Sequence, residues 1–433
     1  FVRSSMGSAT RNGESYTFAE VYPAYVLSGN RHIDVGKPSI KKLTFHVDDA
    51  DQIFYDFDVL GHVIEPEPLI ESVVKANKRW VDRDVPTGPT PQIIYFTGRC
   101  DLAQVETVIG TVRVFHCPSF PNPLSSPRFA AIQNWTLVEV AFPEPQEFFE
   151  ALNRVLTLRR FLSLIAGRPQ NIDNLQLHVG DSERDQPLDV YWTRSPSRSK
   201  DWEQQRPHPS EILSSVVQDP EGFNSLLARW LTVDADRLDA RARFANGFDQ
   251  QRSFPIDRLV GAANMFDILP ANALPEVTAL TEELASAKQE ARKIFNRLPQ
   301  SPERDSVLGA LGRIGRPTLR DKIRYRADIV SRALKKPLPD LDIVTDEAVK
   351  CRNHYVHGSP ASISYAEHPD IRVFLTRVLE FIFAASDLLD AGWDIQQWRS
   401  QGSVGAHPFN DVLLEWSQQT EKLRLLREGA RKA

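Results

Sequence analysis

Thr193-Arg194-Ser195-Pro196-Ser197-Arg198-Ser199-Lys200-Asp201-Trp202-Glu203-Gln204-Gln205-Arg206-Pro207-His208-Pro209 is polar, rich in Arg, Ser and Pro, and carries no hydrophobic period. Such a stretch cannot bury a face, so it reads as a linker. The texture of the chain differs on its two sides, and that contrast decides the fold class.

Upstream, the period is two. Leu43, Phe45 and Val47 share one face of Lys42–Val47, and similar alternation recurs in Ile93–Phe96, Val112–Phe115 and Thr136–Ala141. Pro- and Gly-rich clusters such as Val85–Pro91 and Cys117–Pro123 punctuate these segments. Short strands separated in this way predict a sandwich or a partly closed barrel. One helix interrupts them, from Glu147 to Ala166, where Phe148, Leu152, Val155, Leu156, Phe161 and Leu164 recur at helical spacing before Gly167 and Pro169 stop the run. Leu175–Val179 and Leu188–Trp192 read as strands returning to the sheet.

Downstream, the period becomes helical. Glu211–Val217, Phe223–Leu231 and Asp257–Ile268 are short amphipathic pieces, and Glu276–Leu298 reads as one long helix. Thr318 is a candidate N-cap for Leu319–Leu334, whose apolar stripe is Leu319, Ile323, Ala327, Val330 and Leu334. Asp346–His357, Ile371–Ala391 and Asp411–Arg427 complete the set. The expectation is an α+β chain of two domains: a β-rich, sandwich- or barrel-like domain over 1–195, a linker over 196–209, and an all-α bundle over 210–433.

Composition narrows the function. The 433 residues are 41% hydrophobic, 25% charged and 9% aromatic, which excludes a disordered chain. Apolar runs such as Phe381–Ala385 fall far short of the roughly 20 residues of a membrane span. The residues from Phe1 do not read as a signal peptide, and Cys100, Cys117 and Cys351 form no disulfide framework, so a reducing cytoplasm is expected. A net charge of −5 argues against a surface coated in base for bulk nucleic-acid binding. One local window differs: Arg313, Arg316, Arg320, Lys322, Arg324, Arg326, Arg332, Lys335 and Lys336 face only Asp321 and Asp328. A charge run taken alone is ordinarily a solvated helix face.

Several tempting motifs fail. Gly36-Lys37 is followed by Pro38 where a phosphate loop needs Ser or Thr, so it is a turn. Asp48, Asp49, Asp51, Asp56 and Asp58 lack the glycine of a calcium loop and read as a solvated strand connection. His116-Cys117 has no second ligand pair nearby and reads as half-buried strand. No metal or cofactor is expected.

What remains is Lys350-Cys351-Arg352-Asn353-His354-Tyr355-Val356-His357-Gly358-Ser359-Pro360. At about 100° per residue, Asp346, Lys350, Asn353 and His357 form one polar stripe, while Ala348, Val349, Tyr355 and Val356 form the apolar side with Arg352 among them. A guanidinium on an apolar seam needs an anion or several acceptors. Gly358 and Pro360 end the helix, so His357 sits in its last turn, where the dipole favours an imidazolium and Asn353 can bond a ring nitrogen. His354 lies off the stripe and faces solvent or a ligand; Tyr355 can stack on a base or pack inward.

Arg-Asn-x3-His-Gly on a late helix of a helical domain resembles the R-x4–6-H signature of HEPN domains, here Arg352 to His357. A β-rich front that leads through a helix ending Arg160-Phe161-Leu162-Ser163-Leu164-Ile165-Ala166-Gly167-Arg168-Pro169 resembles the ApeA-type branch of these proteins. The resemblance implies a metal-independent endoribonuclease acting on tRNA or other structured RNA in antiviral, abortive-infection defence. It implies Arg352, Asn353 and His357 as catalytic residues, completed by a second set across a homodimer. Arg320, Lys322, Arg324, Arg326, His354 and Tyr355 would then contact RNA, with a phage-derived trigger acting on the β-rich domain. The competing expectation is a non-catalytic HEPN module that dimerises or binds nucleotides while the β domain senses a partner. Arg352 against a buried carboxylate, with His357 on a carbonyl, would favour a purely structural helix end.

Overall fold

The computed structural model describes residues 3–11, 14–78, 80, 85–120, 131–180, 186–192, 206–277, 279–335, 338–402, 405 and 407–432. Most of the expected linker, residues 196–205, lies outside these, as does Lys336 of the basic window. The chain forms two compact units. The first comprises Phe1–Thr232 with Ala391–Trp393 and Trp398–His407, and the second holds the rest.

The first unit opens with a hairpin of β1 (Arg3–Arg11) and β2 (Glu14–Tyr22). Next come β3 (Tyr25–Ser28), β4 (Ile40–Val47), α1 (Ala50–Ile53), β5 (Leu60–His62), α2 (Glu67–Asn77) and β6 (Ile94–Phe96). Then follow β7 (Asp101–Thr107), β8 (Gly110–Ser119), β9 (Gln133–Gln146) and α3 (Phe148–Ala166). β10 (Ile172–His178), β11 (Leu188–Trp192) and α4 (Pro220–Thr232) complete the list.

Seven strands make one antiparallel sheet in the order β3-β11-β10-β4-β9-β8-β7. The seven-stranded order ends at β3 and β7, and β5 and β6 pair apart from it. Leu43, Phe45 and Val47 are fully buried, as the alternation predicts. The second layer is α3, whose Ala151, Val155, Phe161 and Ile165 are buried. Gly167 ends α3 in the left-handed region (φ +76°), a conformation that side chains with a Cβ resist.

That helix end explains a misread acidic cluster. Asp49 is not solvated: it is completely buried, and Arg168 grips it bidentately, with both contacts at 2.5 Å. Gln170 donates to the same carboxylate at 2.7 Å, and Asp48 accepts the Asn171 N–H at 2.9 Å. Burial of a carboxylate requires such pairing.

The unit that carries the sheet reaches past the expected linker to Thr232. The reason is aromatic packing: Phe223 of α4 meets Phe54 and Phe161 edge-on, and Trp230 lies 5.3 Å from Phe161. Glu211–Val217 is not a helix beyond a single turn at Pro209–Glu211. Buried Glu211 instead accepts the backbone N–H groups of Gly405 and His407, at 2.6 and 2.7 Å.

The second unit is helical: α5 (Asp234–Phe248), α6 (Ile256–Asn264), α7 (Glu282–Asn296), α8 (Pro302–Arg313), α9 (Leu319–Leu334) and α10 (Leu341–His357). They are followed by α11 (Pro369–Asp390), α12 (Ile395–Ser400), which straddles the division, and α13 (Pro408–Lys432). α11 is the core helix, buried from Phe374 to Leu388 except at Arg377 and packed by α6, α9, α10 and α13. Thr318 caps α9 as expected, and Asp321 returns its bond in a full capping box. The expected helix Glu276–Leu298 begins later, at Thr281, whose hydroxyl accepts the Leu284 N–H. No helix among the described residues is long and apolar enough to cross a membrane.

Candidate active site

The end of α10 is fixed by Gly358, which adopts φ +65° and donates its N–H to His354 at 3.0 Å. The chain reverses there. His357 is therefore left exposed at the last helical position, and Arg352 is half-buried more than a turn earlier.

Arg352 makes four hydrogen bonds. Its Nε and Nη2 donate to Asn264 Oδ1 at 3.3 and 3.0 Å. Its Nη1 donates to Asn353 Oδ1 at 3.0 Å and to His357 Nε2 at 2.9 Å. All three partners are neutral acceptors. Among the described residues no carboxylate reaches ion-pair distance of Arg352; the carboxylates of α10 pair elsewhere, Asp346 with Arg320 and Arg324, Glu347 with Lys350 and Arg427. The guanidinium thus keeps a whole positive charge at a solvent-accessible helix end.

One expectation about His357 changes. Asn353 does not bond the ring; its carbonyl oxygen is taken by Arg352, and Arg352 is what touches Nε2. A guanidinium N–H only donates, so Nε2 is the acceptor in this contact, which calls for the tautomer with its proton on Nδ1. A neutral imidazole with an accessible lone pair is the form that removes protons.

The other motif residues turn inward. His354 donates from Nδ1 to the Ser359 carbonyl at 2.9 Å, and its ring lies 5.1 Å from Tyr355 and 5.6 Å from Tyr365. His354 is therefore half-buried rather than turned to solvent, and Tyr355 packs in the same cluster. Beneath it sits fully buried Glu347, which accepts hydrogen bonds from Ser362 and, at 2.8 Å, from Tyr365. Burial, with the Glu347 charge added, pushes the Tyr365 phenol far above its usual range. Burial first and Glu347 second push the Cys351 thiol up to about 12, so Cys351 is an inert core residue.

The basic window divides. Arg326 is a correction: it is 2% exposed, donates to Ser386 Oγ at 2.9 Å and pairs with Asp390 at 2.8 Å, so it cannot touch RNA. Lys322 is tied to Asp267 at 3.0 Å. Arg320 and Arg324 are partly exposed but converge on Asp346, at 3.2 and 2.8 Å. Arg313, Arg316, Arg332 and Lys335 are exposed, so the expected stripe survives without Arg326 and with Arg320, Lys322 and Arg324 partly neutralised.

Sequence reasoning missed Asn264, at the end of α6, and Glu347, Ser362 and Tyr365 under the motif. Asn264 stands 88 positions before Arg352, beyond any local periodicity. A cleft of about 470 Å³ opens between α5, α6 and α11, lined by Arg243, Gly247, Arg258, Gly261 and Glu380; neither Arg352 nor His357 reaches it. Among the described residues no three His, Cys, Asp or Glu side chains converge as metal ligands.

Comparison with protein families gives two matches. ApeA N-terminal domain 1 matches residues 2–230, and the Apea-like HEPN domain matches residues 260–397. Curated proteins and solved structures, compared in the same way, gave no match. The first match ends within two residues of the first unit's main segment, and the second covers Asn264 and the whole of α10. The order of domains, the sheet in front and the Arg352–His357 helix behind place the chain in the ApeA family of HEPN proteins, a class whose HEPN domains are generally nucleases.

Proposed function

We propose that the chain is a metal-independent endoribonuclease that cleaves tRNA or other structured RNA as an antiviral, abortive-infection effector. The observation that carries this reading is the Arg352 guanidinium, which meets no acid among the described residues and contacts a ring nitrogen of His357. RNA cleavage without metal needs three things: a base for the 2′-OH proton, positive charge against the phosphorane, and an acid for the leaving 5′-oxygen. His357 Nε2 takes the 2′-OH proton as O2′ bonds to phosphorus. The P–O5′ bond breaks, a proton goes to O5′, and the products are a 2′,3′-cyclic phosphate and a 5′-hydroxyl. Arg352 faces the non-bridging oxygens through Nη1 and Nη2.

One imidazole cannot start as both base and acid. A second Arg352, Asn353 and His357 from another copy, related by a two-fold axis, supplies the protonated ring. A phosphate arriving on Nη1 displaces His357 from that nitrogen and frees its lone pair for chemistry. The β-rich unit restrains the nuclease until a phage-derived trigger engages it, and a cytoplasmic location goes with a tRNA substrate.

Incubation of the full chain with a tRNA pool in EDTA tests the reading. Wild type yields cyclic phosphate ends, whereas His357→Ala and Arg352→Ala do not. Cleavage that persists in both variants removes the site assignment, and a wild type inert on all RNA points to the non-catalytic module.

A further inference from the structure

Four arginines are buried among the described residues, Arg237, Arg241, Arg258 and Arg326, and every one rests on a carboxylate: Asp387 for the first two, Glu380 and Asp390 for the others. Arg352 is the contrast. The group that grips it from another helix is Asn264, an amide where an isosteric carboxylate would make the same two hydrogen bonds and an ion pair besides.

We propose that Asn264 is a positioning residue that sets both the aim and the charge of Arg352 for a phosphodiester of RNA. The proposal rests on the nuclease reading above for its substrate. The geometry is restrictive. A guanidinium has five N–H groups. Asn264 takes Nε–H and one Nη2–H, closing that edge of the fork. Only the opposite edge, Nη1 with the second Nη2–H, faces outward, and its resting partners are Asn353 and the displaceable His357 ring. Because Oδ1 is neutral, the hold costs the guanidinium none of its charge. An aspartate at 264 would hold the same edge and neutralise the attraction for phosphate.

The test is Asn264→Asp in the full-length chain, with Asn264→Ala beside it. Melting is measured together with anisotropy of a fluorescein-labelled 2′-O-methyl RNA oligonucleotide, which binds without a reactive 2′-OH. Asn264→Asp is expected to melt no lower than wild type, yet to bind the oligonucleotide about tenfold more weakly, with a shallower dependence on salt. RNA cleavage should fall through KM more than through kcat. Asn264→Ala should also lose affinity, by freeing the guanidinium to wander. A merely structural role predicts the same stability for Asn264→Asp but unchanged binding. That result overturns the proposal, as does an Asn264→Asp chain that melts below wild type. If wild type binds the oligonucleotide but cuts no RNA, the nuclease reading fails while loss of binding in Asn264→Asp still upholds Asn264. If wild type binds neither the oligonucleotide nor, in a melting titration, inorganic phosphate, the role given to Asn264 falls.

Discussion

Two regions of the helical unit handle the same side chain in opposite ways. Beneath α11, Arg237 and Arg241 meet Asp387 at 2.7 and 3.0 Å, and Arg326 meets Asp390 at 2.8 Å. Burial alone would raise the Asp387 carboxyl, but the flanking Arg241 and Arg237 outweigh it and hold Asp387 below its ordinary range. Charge is cancelled there, and the product is architecture. At the end of α10, Arg352 meets three acceptors and, among the described residues, no acid. Its charge remains available, which is what an anionic substrate requires.

The comparison breaks most sharply in kinetics. Arg352→Ala and His357→Ala should each lower RNA cleavage by about 10²–10⁴-fold, the range for removing a charge stabiliser or a general base. Neither should shift the melting curve much, because both side chains are at least partly exposed. Arg326→Ala should do the reverse. It leaves a hole under α11 and takes an arginine from Asp390, for a loss of about 3 kcal/mol in urea unfolding, and any activity change should follow stability. If Arg352→Ala unfolds the chain as readily as Arg326→Ala, the two regions are alike and Arg352 is structural.

How much of this was readable in advance depends on range. The faces of β4, β8 and β9 follow from alternation within one strand, and the α9 cap from Thr318 and Asp321 three residues apart. The sheet order does not: β3 borders β11, and nothing local in Tyr25–Ser28 names Leu188–Trp192 as its neighbour. The burial of Arg326 is a local signal. The arginine sits three residues after Ile323 and four before Val330, both fully buried, so the wheel already put it on the inner face. The break before α8 was also legible, since Ser301 accepts the Arg304 N–H and Pro302 opens the helix. Asn264 is different in kind. An asparagine at a helix end is ordinary until a tertiary contact gives it an arginine.

A buried histidine of the first unit sharpens the contrast through pH. His407, fully buried in the first unit, donates from Nε2 to the Leu164 carbonyl at 3.2 Å, and burial holds its pKa down at about 4 against that bond and nearby Glu211. Above about pH 6.5 the folded and unfolded chains are both neutral at this residue. Below it the unfolded chain takes up a proton that the folded one refuses until about pH 4, so stability falls by about 1.4 kcal/mol per pH unit. His407→Gln keeps a donor and does not titrate. Its stability deficit against wild type should therefore shrink by about 2 kcal/mol between pH 7 and pH 5 in urea unfolding. A constant deficit would mean that His407 is not held neutral.

The smallest effect probes the space between cancelled and available charge. Arg320 and Arg324 of α9 are partly exposed and share Asp346, which lies on α10 two turns before the motif's Asn353. If RNA runs past this flank, Asp346 competes with its phosphates for both guanidinium groups. Asp346→Asn keeps the shape, removes the competitor, and costs at most about 1 kcal/mol of stability, as exposed pairs do. RNA affinity should rise about threefold, and the slope of log affinity against log salt should steepen by about one phosphate contact. Unchanged affinity and slope would take Arg320 and Arg324 off the RNA path and leave Arg352 as the unit's phosphate-facing arginine. Weaker binding would give Asp346 the opposite role, a brace that presents the two arginines rather than a rival for them.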